Sequence, residues 1–327
     1  MTVEAPTHGF ELRQQNFEPV MEFFAPGLKR WETREWQPLN ARRFLPVSVT
    51  GGACALQCDH CQAKVLKGMI SVKADENLFE LARRLQQGGT DGLLVSGGSQ
   101  RNGGVPLLFH LEHIARIREE LGMKVVVHSG VVSPVTAEGL ARVGVDGVML
   151  DIIGADETIR EVYHLDLSTA DFDRSLALLA ANDLRIIPHI VLGMHYGRFL
   201  GEYRALEMIA RYPVSTLIIV VLVPLVGTPM EHIPPPPVED VVRFFATARQ
   251  TMPTTRINLG CGRPMGGVKV ELDRAAIDHG LNGIAYPAEG AIAHARARGL
   301  EARLYEYCCS LTWTGDGESA YEQVTIA

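Results

Sequence analysis

The chain has 327 residues, 46% hydrophobic and 21% charged, with a formal net charge of −7. That length suits one large α/β domain or two small ones, and the fractions are ordinary for a globular enzyme. The acidic balance, with no Lys/Arg-rich block, argues against a nucleic-acid surface, and the longest apolar run, Leu217 to Val223, falls far short of the about 20 residues that span a bilayer.

Residues 1–45 read as an N-terminal extension. Phe10, Phe17, Val20, Met21, Phe23 and Phe24 are spaced like an amphipathic helix, which Pro26-Gly27 stops. Trp31 and Trp36 follow, with Arg30, Arg34, Arg42 and Arg43 around them. This segment is expected to cap a barrel end, or to serve as an active-site lid or a docking surface. No basic-then-apolar signal pattern opens the chain. Six cysteines, three in one loop, point to metal in a reducing cytosol rather than to a disulfide scaffold, so a cytoplasmic location is expected.

From residue 46 short apolar runs alternate with amphipathic segments. Strands are expected at Val47–Thr50, Gly92–Ser96, Lys124–His128, Gly147–Asp151, Arg185–Val191, Thr216–Val223, Arg256–Leu259 and Gly283–Tyr286. Between and after them lie helical patterns at Leu78–Gln87, Leu111–Leu121, Ala137–Val143, Phe172–Ala181, Tyr203–Tyr212, Val238–Gln250, Ala275–His279 and Gly290–Arg298. Eight such units predict an α/β fold, a TIM-type parallel (β/α)8 barrel over residues 46–300. The alternative is a doubly wound open sheet with fewer strands. Residues 301–327 are left as a C-terminal tail.

The first of these strands runs into Gly51-Gly52 and then Cys54, Cys58 and Cys61, a C-x3-C-x2-C spacing. The glycines let the backbone bend, and the short spacings let three thiolates converge on one inorganic centre. A closed structural zinc site wants four protein ligands. An iron–sulfur cluster held by three keeps one iron open to chelate a small molecule. A zinc knuckle completed by His60 or a distant ligand is the competing reading.

Chemistry in such barrels gathers at the C-terminal ends of strands. The second strand ends Ser96-Gly97-Gly98-Ser99, whose glycines expose backbone to a ligand, or form a plain turn. The third ends at His128, the fourth at Asp151 and the fifth at His189. Asp151 is placed to accept from ribose hydroxyls or to cap its loop. His128 and His189 face the mouth as ligand contacts or as structural histidines. The seventh end is Gly260-Cys261-Gly262-Arg263-Pro264, and the tail supplies the remaining thiols, Cys308 and Cys309. If the tail folds over the mouth, Cys261, Cys308 and Cys309 can hold a second cluster. Arg263, Ser310, an exogenous sulfide or substrate are the candidates for its fourth ligand. A structural zinc site or unrelated buried thiols are the alternatives.

The cysteine loop after a first barrel strand resembles the radical S-adenosylmethionine (SAM) superfamily. There SAM binds the open iron of a [4Fe-4S] cluster, and an aromatic residue precedes the third cysteine, where this chain has His60. Ser99 stands where that superfamily has an acid after two glycines. Gly-Cys-Gly-Arg-Pro, Gly-Thr-Pro-Met at residues 227–230 and the eight units look like biotin synthase relatives. In biotin synthase an arginine ligates an auxiliary cluster, which makes Arg263 a candidate, but that enzyme's auxiliary cysteines lie on other strands. With Phe-Phe-Ala-Pro-Gly at residues 23–27 and the terminal cysteine pair, the chain looks more like one subunit of the two-protein lipoyl synthases of archaea and some bacteria.

That resemblance implies a transferase that inserts sulfur into an unactivated C–H bond of a protein-bound octanoyl chain. The cluster of Cys54, Cys58 and Cys61 would reduce SAM to methionine and a 5′-deoxyadenosyl radical, and an auxiliary [4Fe-4S] cluster on Cys261, Cys308 and Cys309 would give up the sulfur. The partners implied are an octanoylated carrier domain, a second radical SAM subunit and a low-potential electron donor, with no nucleic acid and no membrane. Two readings compete. One is a mutase or lyase like methylornithine synthase, without sulfur insertion; the other is a zinc-stabilised or electron-carrying barrel that is no enzyme.

Overall fold

A computed structural model describes residues 7–73 and 75–311. Aliphatic and β-branched runs make its strands: β1 (Val20–Phe24), β2 (Phe44–Ser48), β3 (Ile70–Ser71), β4 (Gly92–Ser96), β5 (Lys124–His128) and β6 (Gly147–Asp151). After them come β7 (Ile186–Leu192), β8 (Thr216–Val221), β9 (Arg256–Leu259), β10 (Gly283–Ala285) and β11 (Glu301–Tyr305). All pair in parallel in one curled sheet, in the order β11-β1-β10-β9-β8-β7-β6-β5-β4-β2-β3. A parallel sheet is apolar on both faces because side chains fill its inside and helices cover its outside. Accordingly Val125, Val126, Val127, Val148, Leu217, Ile218 and Ile219 are all buried.

The helices are α1 (His8–Asn16), α2 (Leu78–Gln87), α3 (Leu111–Leu121), α4 (Pro134–Arg142), α5 (Asp156–Glu161), α6 (Thr169–Ala181), α7 (Glu202–Ile209), α8 (Val238–Thr251), α9 (Gly267–Asp278) and α10 (Ala291–Ala297). Local chemistry sets their starts. Asn77 and Glu80 form a reciprocal capping box on α2, whose Leu78, Leu81, Ala82 and Leu85 turn to the sheet. Ser133 caps α4, and Pro134 sits in its first turn, where no donor is needed. None of the described helices is long and apolar enough to cross a membrane.

Eight of the strands, β2 and β4 to β10, are the expected barrel units, so the α/β barrel-type fold stands. The ends of the chain differ from expectation. The aromatic spacing over Phe10 to Phe24 predicts one helix, but α1 stops at Asn16 and Val20–Phe24 is a strand lying between β10 and β11. Four of its five residues are buried, on both faces, which a surface helix cannot provide. Its one charge, Glu22, is met by Arg256 at 2.8 Å. The tail also contributes a strand, β11, against β1.

Across the seam between the sheet's two ends the described contacts are mostly made by side chains. Gly27 N–H donates to the Phe44 carbonyl (2.9 Å) and Asn40 N–H to Glu306 (2.8 Å). The Tyr307 ring lies 6.2 Å from Phe44, and its hydroxyl donates to Asp91 (3.0 Å). Beyond β11 the chain turns inward. Cys309–Leu311 is a buried 3-10 turn, and Asn258 Nδ2 on β9 donates to the Cys309 carbonyl (2.9 Å). Residues 312–327 of the expected tail lie outside the described residues.

Candidate active site

β2 delivers the cysteine loop to the C-terminal edge of the sheet. Ser48 Oγ donates to the Gly51 carbonyl at 2.6 Å, and Gly51 takes φ +59°, which a side chain would resist. Cys54, Cys58 and Cys61 are free thiols, the last two buried. Cys58 S–H donates to the Tyr163 carbonyl (3.7 Å); the adjacent Cys61 and burial push the Cys58 thiol up, while Cys58 and His60 hold Cys61 down at about 4. A thiolate is what a metal wants. The His60 ring lies 5.2 Å from that of Tyr163, and its Nδ1 is buried without a hydrogen-bond partner.

Ser96, Gly97, Gly98 and Ser99 lie under this loop and support it. Gly98 N–H donates to Thr50 Oγ1 (2.7 Å), Ala55 N–H to the Ser99 carbonyl (2.9 Å), and Ser96 Oγ to the His128 carbonyl (3.1 Å). A Cβ on Gly98 would stand 2.0 Å from the Ala53 carbonyl and 2.6 Å from Cys54 Cα. The expected free amide at Gly98 is thus bonded within the protein, and its glycine serves close backbone approach.

His128, Asp151 and His189, at the ends of β5, β6 and β7, each bring a ligand atom within 4.8 Å of the others. His128 Nε2 is 3.6 Å from Asp151 Oδ1, and Asp151 and His189 are register partners. The His189 Nδ1–Ile187 carbonyl bond (3.1 Å) leaves Nε2 with its lone pair free. Burial alone would raise the Asp151 carboxyl, but His128 at 3.6 Å, with His189 and His60 nearby, outweighs it and holds it at about 2. Burial, and then His128, push the His189 imidazole down to about 4. An imidazole lowered on folding binds its proton better in the unfolded chain, so its contribution is full above pH 6.5 and fades as pH falls towards 4. Stability should drop by about 2 kcal/mol between pH 7 and 5, and His189→Gln should flatten that slope, as read from urea midpoints at the two pH values.

The second set of thiols meets at the same edge. Asn258, which bonds the Cys309 carbonyl, lies three residues before Cys261. Burial and then Cys308 push the Cys261 thiol up, although its side chain reaches solvent at the mouth. Cys309 donates to Cys308, which settles at about 7, and His128 is near enough to help. The buried Ser310, next in the chain, also lowers the Cys308 thiol. Three free thiols, one of them held near neutrality, fit a metal–sulfur group.

Arg263 is occupied elsewhere. It is buried and donates to Asp273 twice (2.6 and 2.9 Å), to Gly260 (2.6 Å) and to Tyr286 (3.1 Å). Its role is to fix the turn that carries Cys261.

Some site residues leave no mark in the sequence. Glu202 Oε1 accepts from Gly193 N–H (2.9 Å), while Oε2 is buried without a partner and burial raises its pKa. It faces a small cavity of about 20 Å³ between β6 and β7, shared with Asp151, Ile153, Tyr163, Ile190 and Met194. Asp59, inside the cysteine loop, is bonded to His164 and Tyr196, each more than 100 residues away. Separations of that size escape any local pattern.

Comparison with known proteins places this edge. The chain is 30% identical over 235 residues to the biotin synthase of Synechococcus sp. (strain JA-3-3Ab), covering 66% of this chain and 71% of that one. It is 23% identical over 283 residues to the mitochondrial biotin synthase of Saccharomyces cerevisiae, covering 80% and 74%. Two solved structures share the fold: methylornithine synthase (TM-score 0.57, 12% identity, 90% of this chain and 87% of that one) and the FeFe-hydrogenase maturase HydG from Carboxydothermus hydrogenoformans (TM-score 0.62, 15% identity, 90% and 70%). The Radical SAM superfamily model matches residues 48–224, more than half of the chain, starting on the strand that bears the cysteine loop. On that match, the protein belongs to the radical SAM superfamily and has a biotin synthase-like fold.

Proposed function

We propose that this enzyme inserts sulfur into an unactivated C–H bond of an octanoyl chain carried on a protein, as one subunit of a two-protein lipoyl synthase. The observation that carries the reading is the grouping of Cys261, Cys308 and Cys309 at the same end of the sheet as the loop of Cys54, Cys58 and Cys61, with His128 near Cys308. A radical SAM enzyme needs only the loop; a second thiol set suits a group that donates sulfur. When bound, the first cluster and SAM supply a radical able to take hydrogen from such a carbon.

The chain's own residues bind and orient. Cys54, Cys58 and Cys61 would hold the SAM-binding cluster, and the Gly97-Gly98 backbone seats its loop. Asp151, at the end of β6, offers an acceptor for the ribose hydroxyls of the nucleoside. Cys261, Cys308 and Cys309 would hold the second cluster, with Ser310 Oγ in reach of it. His128 and His189 lie between the two sets and present nitrogen atoms to whatever is bound there. The carrier domain, the sister subunit and the electron donor would approach from the mouth.

Replacing Cys261, Cys308 and Cys309 together with alanine should roughly halve the iron of the reconstituted chain, by analogy with one of two cluster sites lost. The deciding experiment is mass spectrometry of an octanoylated carrier peptide after anaerobic turnover with SAM, reductant and the sister subunit. A gain of sulfur supports the proposal. 5′-Deoxyadenosine without sulfur insertion would favour a mutase or lyase, and unchanged iron in the triple variant would remove the second cluster.

A further inference from the structure

We propose that Asp59 is a positioning residue that holds the cysteine loop across the mouth, acting through His164 and Tyr196. Asp59 stands between Cys58 and His60. Its Oδ1 is bonded to His164 Nε2 at 2.9 Å, its Oδ2 accepts from the Tyr196 hydroxyl at 2.7 Å, and its N–H donates to the Val162 carbonyl at 2.9 Å. His164 follows β6 and Tyr196 follows β7, whereas the loop belongs to β2. In the sheet β4 and β5 stand between β2 and β6. The loop therefore reaches over two strands and is fastened to the opposite rim, towards Asp151 and His189.

The loop's own backbone does not favour that reach. Gln57, Gln62 and Ala63 take left-handed φ values of 49°, 42° and 59°, a region L-residues avoid unless their surroundings impose it. His164 and Tyr196, at φ 56° and 50°, share that conformation while their side chains rest on Asp59. The Tyr196 loop is anchored in turn, since His195 Nδ1 lies 3.2 Å from Thr158 Oγ1. Asp59 is only 17% exposed against 44% for His164, so its bonds are screened less than those of a surface pair. Bonds to a carboxylate are the stronger kind and fix direction as well as distance. A bare filler of the space beside Cys58 would not need both oxygens engaged from separate loops.

The inference rests on membership of the radical SAM superfamily and not on sulfur insertion, so its test is separate. Asp59→Asn, Tyr196→Phe and the double variant would be reconstituted as full-length chains. SAM affinity would be read from the change that SAM causes in the EPR signal of the reduced first cluster. Each single variant should weaken SAM binding about tenfold, or about 1.4 kcal/mol, with iron content and thermal midpoint unchanged. The double variant should be no worse than Asp59→Asn alone, because the Tyr196 hydroxyl acts on the loop through that carboxylate. Wild-type affinity in both singles, or effects that multiply in the double, would overturn the proposal. So would a loss of affinity that merely follows loss of fold. If Asp59→Asn takes up no iron, Tyr196→Phe decides alone, since it keeps the ring and loses only the hydroxyl.

Discussion

Gly98→Ala is expected to slow SAM cleavage more than about 100-fold, because catalytic geometry displaced by about 1 Å can cost that much. The added methyl would sit 2.0 Å from the Ala53 carbonyl and 2.6 Å from Cys54 Cα, both backbone atoms with no rotamer to turn away. Either the cysteine loop lifts or the end of β4 sinks. The second course is closed by packing, since Val95 beneath is fully buried. Lifting the loop also strains the Gly98 N–H bond to Thr50. The measurement is 5′-deoxyadenosine formed per minute, with iron per chain beside it. Wild-type rate and iron in this variant would mean that the loop does not rest on Gly98.

Asp273→Asn should lower stability by about 3–5 kcal/mol, the usual cost of removing one partner from a buried ion pair. Asp273, on α9, is fully buried and faces two cations, Arg263 at 2.6 Å and Lys269 at 3.1 Å, which are 1% and 4% exposed. It also accepts from Ala288 N–H at 2.6 Å. Burial already pushes the Lys269 amine down to about 7, with Asp273 opposing the change. With the carboxylate gone, Arg263 stays charged and unpaired. The turn that holds Cys261 then loses its anchor. Lys269→Met should be much milder, because it removes a buried charge and leaves the Arg263–Asp273 pair intact. Denaturant unfolding of the two variants checks the ranking, and equal losses would refute it.

Much of the sheet is readable along the chain. β4, β5, β6 and β9 match the expected bounds residue for residue; the first three are apolar runs between turn residues, and β9, Arg256-Ile257-Asn258-Leu259, is marked by the glycine that follows it. β1 is misread because Val20-Met21-Glu22-Phe23-Phe24 carries no alternation and follows phenylalanines at helical spacing. A strand buried on both faces has no periodicity to show. β11 is hidden for another reason: Glu301-Ala302-Arg303-Leu304-Tyr305 is charged in its first half because it lies on the sheet's edge.

The site divides the same way. The C-x3-C-x2-C spacing and the paired glycines are local signals visible at once, whereas Cys261 is far along the chain from Cys308 and Cys309 and is joined to them only by the way the tail folds. Asp59, Asp273 and Glu202 look like any other acid until the fold supplies His164, Arg263 and the buried wall around them. Arg263 shows the converse. Its place after Gly-Cys-Gly suggests a ligand, and only Asp273, ten residues on, reveals that the guanidinium is already committed.

The seam has a mechanical consequence. Strands elsewhere in the wall are joined by rows of backbone bonds, whereas the join between Phe44 and Tyr307 relies on a ring contact, a phenol on a carboxylate and single amide bonds at Gly27 and Asn40. Such a join parts with fewer simultaneous breakages than a ladder does. The turn bearing Cys308 and Cys309 is held by the β11–β1 ladder and by Asn258 on β9, so a parting of the seam would carry these two sulfurs with the β1 side and draw them away from the opening loop on β2.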